Sequence, residues 1–293
     1  MRAYVFLTLL LPISILGCEK HTEETISTLS KIKSEGVVRV GYANEAPYAY
    51  YDSEAGRLTG EAPEIVREIA KRMGVSKVEG VLTEFGSLIP GLKAERFDII
   101  AAGMYILPKR CKEIDFTNPT YKVGEAFLVK RGNPFGLHSY EDVAKRPSAR
   151  LGVVAGAVEL GYARAVGVPD DRVAVLPDTP SAVAAVEAGR IDAYAGTSLT
   201  INDILGKTGE GKLEKAEPFT DPVIEGRAVI GYGAFGIRKE DKDLYNEFNR
   251  HLKSFIGSDA HKRVVEPFGF TESELPGDVT AGELCKGPQG SRP

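Results

Sequence analysis

The chain of 293 residues lacks the residue groupings that common catalytic and metal sites require. Its four histidines are scattered without metal-ligand spacing, and it has neither a P-loop nor a Gly-x-Ser-x-Gly motif. Residues 231–236, GYGAFG, match a dinucleotide-binding glycine pattern, but the residues that follow continue a strand where that motif opens a helix. We therefore predict a protein that is not an enzyme, with no catalytic residues, cofactor or metal ion.

Long apolar runs are confined to the N-terminus. Arg2 precedes an apolar and small stretch, residues 3–17, that is too short to span a bilayer comfortably and predicts an export signal. Its end, Ile-Leu-Gly-Cys, resembles a bacterial lipobox, so we predict a signal over residues 1–18 with Cys18 as the lipidation site. Ordinary signal cleavage, with Cys18 incidental, is the alternative. The protein is expected in the periplasm or at the cell surface, with no membrane contact except this anchor.

Positive charge is not in excess. Removal of residues 1–17 takes away one basic and no acidic residue, which leaves 36 Lys and Arg against 41 Asp and Glu, a net charge of −5. This balance argues against nucleic acid as a partner. Residues 19–35 are predicted to be a polar spacer. The remaining length, with 43% hydrophobic residues overall, is enough for two domains with a substantial core.

Cysteine is scarce, with three in the chain. If Cys18 carries lipid, Cys111 and Cys285 remain in a compartment where disulfides persist. We predict that they pair, which would hold the C-terminal tail, residues 276–293, against the loop that carries Arg110. Two free, buried thiols are the alternative.

Apolar strands alternate with amphipathic helices in two tandem runs, the pattern of an α/β fold with parallel sheets. A breaker cluster at residues 132–134 separates the runs. The predicted strands of the first run are 37–42, 77–83 and 97–103, with helices at 63–72 and 87–95. Those of the second are 150–156, 173–176 and 191–196, with a helix from 158 and another at 181–189.

A further strand-like run, residues 226–237, precedes the strongest amphipathic helix, 241–255. If this helix packs on the first unit, the chain crosses between units near residue 131 and returns near residue 228. We therefore predict two lobes joined by two hinge strands around a cleft. Lobe 1 comprises residues 36–131 and 228–275, and lobe 2 comprises residues 132–227.

Four stretches resemble the solute-binding proteins of polar amino-acid ABC importers. They are FGSLIPGL at 85–92, FDIIAAGM at 97–104, PKR at 108–110 and DFTNP at 115–119. The resemblance runs from about residue 36 to about residue 270. Three further stretches are most similar to ectoine and hydroxyectoine binding proteins: NEAPYAY at 44–50, TGEAPEI at 59–65 and GMYILPKRC at 103–111. This resemblance implies the two-lobed periplasmic-binding-protein fold of type II, in which lobe 2 closes over a ligand held by lobe 1.

The resemblance also assigns ligand roles. Arg110 is expected to bind the ligand carboxylate, since its guanidinium can donate two parallel hydrogen bonds. Tyr105 stands where amino-acid binders usually have threonine, and Thr197 stands where they commonly have the aspartate that meets an α-ammonium. The resemblance therefore implies a compact zwitterion whose positive charge is delocalised.

Tyr48, Phe85 and Tyr105 are expected to surround that cation, and Glu45 to accept a hydrogen bond from its N–H. Core packing is the alternative for Tyr48 and Phe85. Gly103 belongs to the same predicted ligand set. The first helix of lobe 2 is expected to begin near Gly156 and Ala157, where free backbone N–H groups can meet an anion, although relatives often have a hydroxyl residue at position 157.

Together these observations predict an extracytoplasmic binding protein that delivers ectoine or hydroxyectoine to the membrane permease of an ABC importer. Two alternatives remain. In the first, the ligand is a polar or cationic amino acid. In the second, the protein is a periplasmic dehydratase of the same fold that uses Glu45 for proton transfer.

Overall fold

The computed structural model describes residues 26–208, 211–224 and 226–287. The predicted export signal, Cys18 and the first part of the predicted spacer lie outside these residues, as does the end of the predicted tail. Among the described residues, no helix combines the length and apolar character needed to cross a membrane.

The secondary structure elements are as follows. The strands are β1 Val37–Tyr42, β2 Tyr50–Asp52, β3 Arg57–Thr59, β4 Lys77–Leu82, β5 Ile99–Tyr105, β6 Asp115–Phe116, β7 Tyr121–Val123, β8 Glu125–Lys130, β9 Leu151–Val154, β10 Val173–Leu176, β11 Ala193–Thr197, β12 Leu213–Lys215, β13 Val223–Ile224, β14 Arg227–Ala228 and β15 Gly231–Ile237. The helices are α1 Thr28–Glu35, α2 Glu61–Arg72, α3 Leu88–Lys93, α4 Pro108–Cys111, α5 Tyr140–Lys145, α6 Glu159–Ala165, α7 Thr179–Glu187, α8 Ser198–Thr208, α9 Lys242–Phe255, α10 Asp259–Val265 and α11 Ala281–Cys285.

Two sheets with the same plan form the two lobes. The first has the order β4-β1-β5-β15-β6, with β7 also paired to β15, and the second has the order β10-β9-β11-β8-β12. In each sheet three parallel strands are followed by one antiparallel strand, β15 in the first and β8 in the second. Helical crossovers between parallel strands produce this arrangement. The predicted two-lobed α/β fold is confirmed.

The chain changes lobes at Gly124 and again between β14 and β15. Strand β7 pairs in the first sheet and β8 pairs in the second, with Thr197 opposite Glu125. The sequence prediction placed the first crossing near residue 131 and so assigned β8 to lobe 1. The reason for the difference is that four of the six β8 residues form an apolar run, AFLV, which predicts a buried strand and does not indicate the sheet.

Helices α2 and α9 pack against each other in lobe 1, as the return of residues 241–255 required. The α2 face buries Ile65, Val66 and Ile69, each fully enclosed. The α9 face buries four apolar side chains at helical spacing, Leu244, Phe248, Leu252 and Phe255. Full burial of one such side chain contributes about 1.5–3 kcal/mol, so this face explains why the segment cannot remain at the surface.

Helix α1 occupies the last part of the predicted polar spacer. Ser27 accepts a hydrogen bond from the Ser30 N–H, and Gly36 ends the helix in the left-handed region at φ 68°. Ile32 is 2% exposed and belongs to the same hydrophobic core as α9 and β1. The segment was predicted to be a spacer because most of its residues are polar. In the structure it is a helix with one apolar face, which packs on the core through Ile32.

Helix α11 lies on α4 at the end of the described chain. Cys111 and Cys285 form a disulfide bond in the structure, with 5.7 Å between their Cα atoms. The Ala281 N–H donates to Asn118 Oδ1 at 3.2 Å. The C-terminal segment is therefore attached to the helix that carries Arg110.

Candidate functional site

A cavity of about 30 Å³ lies between the lobes. Eight of the nine predicted ligand residues line it, and the remaining lining residues are Val154, Val158, Glu159 and Tyr194. Gly156 is the predicted residue outside the lining, although its carbonyl bonds to Arg110. A space of this size holds one or two water molecules, so a solute enters only if the lobes separate.

Arg110 connects the two lobes at one side of the cavity. It belongs to α4, which begins at Pro108, and it is 6% exposed. Its Nη1 donates to the Tyr105 carbonyl at 2.9 Å, and its Nη2 donates to the Gly156 carbonyl of lobe 2 at 2.9 Å. Burial lowers the pKa of Arg110 to about 10, so it is charged at neutral pH. These two bonds use two of its five N–H donors.

Phe85 and Tyr48 bring aromatic rings to the same cavity. The Arg110 guanidinium carbon lies 5.5 Å from the Phe85 ring centroid. The Tyr48 ring stacks on Tyr121 with centroids 5.1 Å apart. Gly103 has φ 64°, and a Cβ there would lie 2.6 Å from Tyr48 Cγ. Gly103 therefore supports the site by giving the Tyr48 ring its space.

The glycines of β15 serve the same packing purpose. A Cβ at Gly231 would lie 2.1 Å from the Tyr105 ring, and a Cβ at Gly233 would lie 2.1 Å from the Tyr121 ring. The segment GYGAFG is thus a strand that passes behind two tyrosines, in agreement with its interpretation from the sequence. A dinucleotide site requires that a helix begin at these glycines, and here they lie within a strand.

Hydroxyl groups from lobe 2 complete the opposite side. Tyr48 donates from its hydroxyl to Thr197 Oγ1 at 2.8 Å, across the cleft. Thr200, at the start of α8, donates to Glu45 Oε1 at 2.9 Å, also across the cleft. The sequence placed Thr197 correctly at the cavity but did not identify Thr200.

Glu45 is a half-buried carboxylate in the loop after β1. Burial raises the pKa of Glu45 to about 7, and the hydrogen bond from Thr200 opposes this rise. Near neutral pH the group is therefore divided between its charged and neutral forms. The carboxylate lies beside Tyr48 in the cavity lining, which is the position that a cation partner requires.

Glu159 is a second carboxyl group in the cavity that sequence reasoning missed. It is 6% exposed, and its Oε2 has no hydrogen-bond partner. Burial raises the pKa of Glu159 to about 7, and hydrogen bonds from the backbone N–H groups of Glu159 and Val158 partly oppose this. Burial, followed by the nearby charge of Glu159, raises the pKa of Glu125. An acidic residue in the first helical turn is common at the surface, so no sequence signal marked this one as buried.

The start of α6 differs from the prediction for Gly156 and Ala157. The Ala157 N–H donates to the Val154 carbonyl at 3.2 Å, and the helix begins only at Glu159. Backbone N–H groups at the helix start are taken up by the carboxylate of Glu159 itself. The N–H groups of Ala157, Val158 and Glu159 are therefore engaged within the protein and are not free for a ligand anion. Within the described chain, no group of three His, Cys, Asp or Glu residues is arranged to hold a metal.

Known proteins resemble this chain over most of its length. A probable amino-acid ABC transporter periplasmic-binding protein of Sinorhizobium fredii is 38% identical over 262 residues, which cover 88% of this chain and 86% of the relative. The crystal structure of EhuB in complex with hydroxyectoine has a TM-score of 0.80 and 36% identity, and the match covers 88% of this chain and 97% of EhuB.

A third relative is an ancestral amino-acid-binding protein described as a precursor of cyclohexadienyl dehydratase. Its crystal structure has a TM-score of 0.71 and 28% identity, with 83% of this chain and 99% of that chain covered. The family model of bacterial extracellular solute-binding proteins, family 3, matches residues 38–271. The two-lobed fold, the cavity between the lobes and this match over most of the length identify the chain as a member of the bacterial extracellular solute-binding proteins of family 3.

Proposed function

We propose that this protein is the extracytoplasmic solute-binding component of an ABC importer and that it captures ectoine or hydroxyectoine between its lobes. Lobe separation opens the cavity, and closure encloses the ligand and presents the closed form to the membrane permease. The relatives support the general part of this proposal, because one is named as an ABC transporter binding protein. EhuB, solved with hydroxyectoine, supports the choice of ligand.

The observation that carries the ligand proposal is the composition of the cavity lining. Arg110 provides one buried positive charge for a carboxylate, while Tyr48, Phe85 and Tyr105 provide aromatic faces near Glu45. A cation over such a face gains about 0.5–2 kcal/mol, most where water is excluded. The cyclic amidinium of ectoine spreads its charge over a flat ring, so stacking and one hydrogen bond to Glu45 can stabilise it.

Glu159 is the observation that favours the second candidate, a polar or cationic amino acid. The position of the usual aspartate is occupied by Thr197, but Glu159 brings a carboxyl group with an unpartnered oxygen to the same cavity. A localised α-ammonium needs such a partner, because an underpaired buried charge costs several kcal/mol. The ligand test therefore has to include amino acids.

A dehydratase activity is the third candidate, because Glu45 and Glu159 are two cavity carboxyl groups with pKa values of about 7. Groups poised near neutral pH suit proton transfer. We nevertheless propose binding without turnover, since the relatives in the comparison are named as binding proteins or as the precursor of an enzyme.

Calorimetric titration of the purified protein tests these candidates. We expect ectoine or hydroxyectoine to bind at least about 100-fold more tightly than glutamine, arginine or glycine betaine, a difference of about 2.7 kcal/mol. Preference for a standard amino acid would refute the ectoine assignment. A cyclohexadienyl substrate is expected to be recovered unchanged after incubation, and its conversion to an aromatic product would establish the dehydratase instead.

We also propose that Cys18 carries a lipid that holds the exported protein at the membrane beside its permease. The apolar signal that ends in Ile-Leu-Gly-Cys supports this proposal. Mass spectrometry of the mature N-terminus is expected to find an acylated Cys18. An unmodified N-terminus at any other residue would mean that the protein is released after ordinary cleavage.

A further inference from the structure

A continuous chain of hydrogen bonds passes from lobe 1 into lobe 2 and back. It begins at the Tyr48 hydroxyl, continues through Thr197 Oγ1 at 2.8 Å and Thr200 Oγ1 at 3.1 Å, and ends at Glu45 Oε1 at 2.9 Å. Tyr48 and Glu45 belong to lobe 1, whereas Thr197 and Thr200 belong to lobe 2. The chain exists only when the lobes are closed, because two of its three bonds cross the cleft.

The directions of the protons follow from the chemistry of the groups. An ionised Glu45 has no proton, so Thr200 must donate to it. Thr200 then has no further proton and accepts from Thr197, which in turn accepts from Tyr48. The Thr200 N–H also donates to Thr197 Oγ1 at 3.1 Å, which holds the two threonines in this order. Every donor in the chain therefore points toward the carboxylate.

We propose that Thr200 is a positioning residue that fixes the Glu45 carboxylate for the ligand cation, so that lobe closure and cation recognition occur together. This inference rests on the proposed use of Glu45 as the cation partner. Thr200 is fully buried in α8 and does not line the cavity, so it acts on the ligand through Glu45. A hydrogen bond to an ionised group is about twice as strong as one between neutral groups, so the last bond contributes most to closure.

The chain also predicts a dependence on pH. Burial raises the pKa of Glu45, and the Thr200 hydroxyl lowers it by stabilising the charged form. Ligand binding that uses ionised Glu45 is strongest above its pKa and is lost as the pH falls through it. The charge of Glu45 contributes to raising the pKa values of the other titratable groups around it, which are Tyr48, Tyr121, Glu125, Glu159 and Tyr194.

The test compares Thr200→Val, which keeps the shape and removes the hydroxyl, with Thr200→Ser, which keeps the hydroxyl. Affinity is measured from pH 5.5 to pH 8.5 for whichever ligand of the panel binds the wild type. We expect Thr200→Val to weaken binding about tenfold. We also expect it to move the acid loss of binding upward by roughly half a pH unit or more, because the donor to the charged form is gone. Thr200→Ser should restore both.

Thr120→Val is the matched control. Thr120 is 2% exposed, its hydroxyl donates to the Gly233 carbonyl at 3.5 Å and lowers the pKa of the nearby buried Glu61, and neither Thr120 nor Glu61 lines the cavity. This variant is expected to bind ligand with the wild-type pH profile. A wild-type profile for Thr200→Val, or equal losses for Thr200→Val and Thr200→Ser, would overturn the inference, since the hydroxyl would then not act on Glu45.

Closure is measured separately without ligand, so the inference does not depend on the identity of the ligand. Leu82 and Val175 are exposed residues in the outer strands β4 and β10 of the two sheets. Spin labels at Leu82→Cys and Val175→Cys should report fewer short interlobe distances for Thr200→Val than for Thr200→Ser at pH 8. Equal distributions for the two variants would overturn the coupling. A panel in which only an amino acid binds would refute the ectoine assignment while the Thr200 comparison still decides this inference.

Discussion

The two walls of the cavity differ in chemistry. Lobe 1 contributes a buried guanidinium, three aromatic rings and Glu45, from strand β5, from segments that follow strands of the first sheet and from α4. Lobe 2 contributes small apolar side chains, Thr197, Tyr194 and the carboxyl group of Glu159. Under the ectoine proposal, lobe 1 therefore recognises both charges of the ligand, whereas lobe 2 closes over it and adds the carboxyl group of Glu159.

The support behind the two walls also differs. In lobe 1, the disulfide and α11 are attached to α4, and glycines of β15 seat the tyrosine rings. Each wall nevertheless has a cavity residue with an unpaired buried atom, the Tyr105 hydroxyl in lobe 1 and Glu159 Oε2 in lobe 2. Unpaired buried polar atoms are expensive, so they persist where a function compensates for them. We infer that the bridge and the glycines preform the lobe 1 wall, while Tyr105 and Glu159 leave one unpaired polar atom on each wall for the ligand.

Loss of the disulfide is expected to have the largest effect and to act on lobe 1. The bond joins residues 174 positions apart, and a link of this kind contributes about 2–4 kcal/mol by restricting the unfolded chain. The double variant Cys111→Ser, Cys285→Ser should lower the free energy of unfolding in urea by that amount. Hydrogen exchange should rise in α4 and α11 but not in α6 of lobe 2.

Peptide mapping of the non-reduced protein provides the control for this experiment. The peptides that contain Cys111 and Cys285 should migrate as one species and separate on reduction. Their absence, or an equal rise of exchange in both lobes, would contradict the proposed support of lobe 1 by the bridge.

Arg110→Ala comes next and tests the preformed contact directly. Loss of a charge-assisted contact costs about 1.5–3 kcal/mol, so affinity should fall roughly ten- to a hundredfold in calorimetry. Arg172→Ala is a matched control, because Arg172 of lobe 2 also donates to backbone carbonyls, those of Val143, Ala144 and Arg146, away from the cavity. The control should keep wild-type affinity. Unchanged affinity in Arg110→Ala would show that Arg110 does not bind the ligand carboxylate.

The contrast between the walls explains which parts of the site the sequence could predict. Arg110, Tyr48 and Phe85 lie in local motifs that follow strands, so their spacing to one another carried the prediction. Thr200 contacts Glu45 across the cleft, 155 positions away in the chain, and Glu159 lines the cavity beside residues of lobe 1, so the roles of both depend on how the two lobes meet. The same limit applied to the fold: the run AFLV of β8 predicted a strand, but its partner depends on a crossover that no local pattern encodes.

A double substitution is expected to reduce the difference between the walls. Tyr105→Thr with Thr197→Asp removes an aromatic face from lobe 1 and gives lobe 2 the carboxylate that amino-acid binders commonly have. The preference for ectoine over glutamine or arginine should narrow by about tenfold or more, about 1.4 kcal/mol. Competitive titration against both ligand classes measures this change. The single variants serve as controls, and an undiminished preference would show that neither residue selects the ligand.

Glu159→Gln should have the smallest effect and defines how far lobe 2 contributes to recognition. Under the ectoine proposal, Glu45 and the rings hold the cation, so removal of the Glu159 charge should change affinity by less than about threefold, roughly 0.7 kcal/mol.

Glu45→Gln is the matched comparison, since burial raises the pKa of both carboxyl groups to about 7. Wild-type affinity should fall as the pH drops below about 7 because Glu45 becomes protonated. That fall should persist in Glu159→Gln and disappear in Glu45→Gln, which should bind weakly at every pH. If Glu159→Gln instead loses tenfold or more and abolishes the pH dependence, the cation lies against lobe 2, and the ligand is better described as an amino acid with a localised ammonium group.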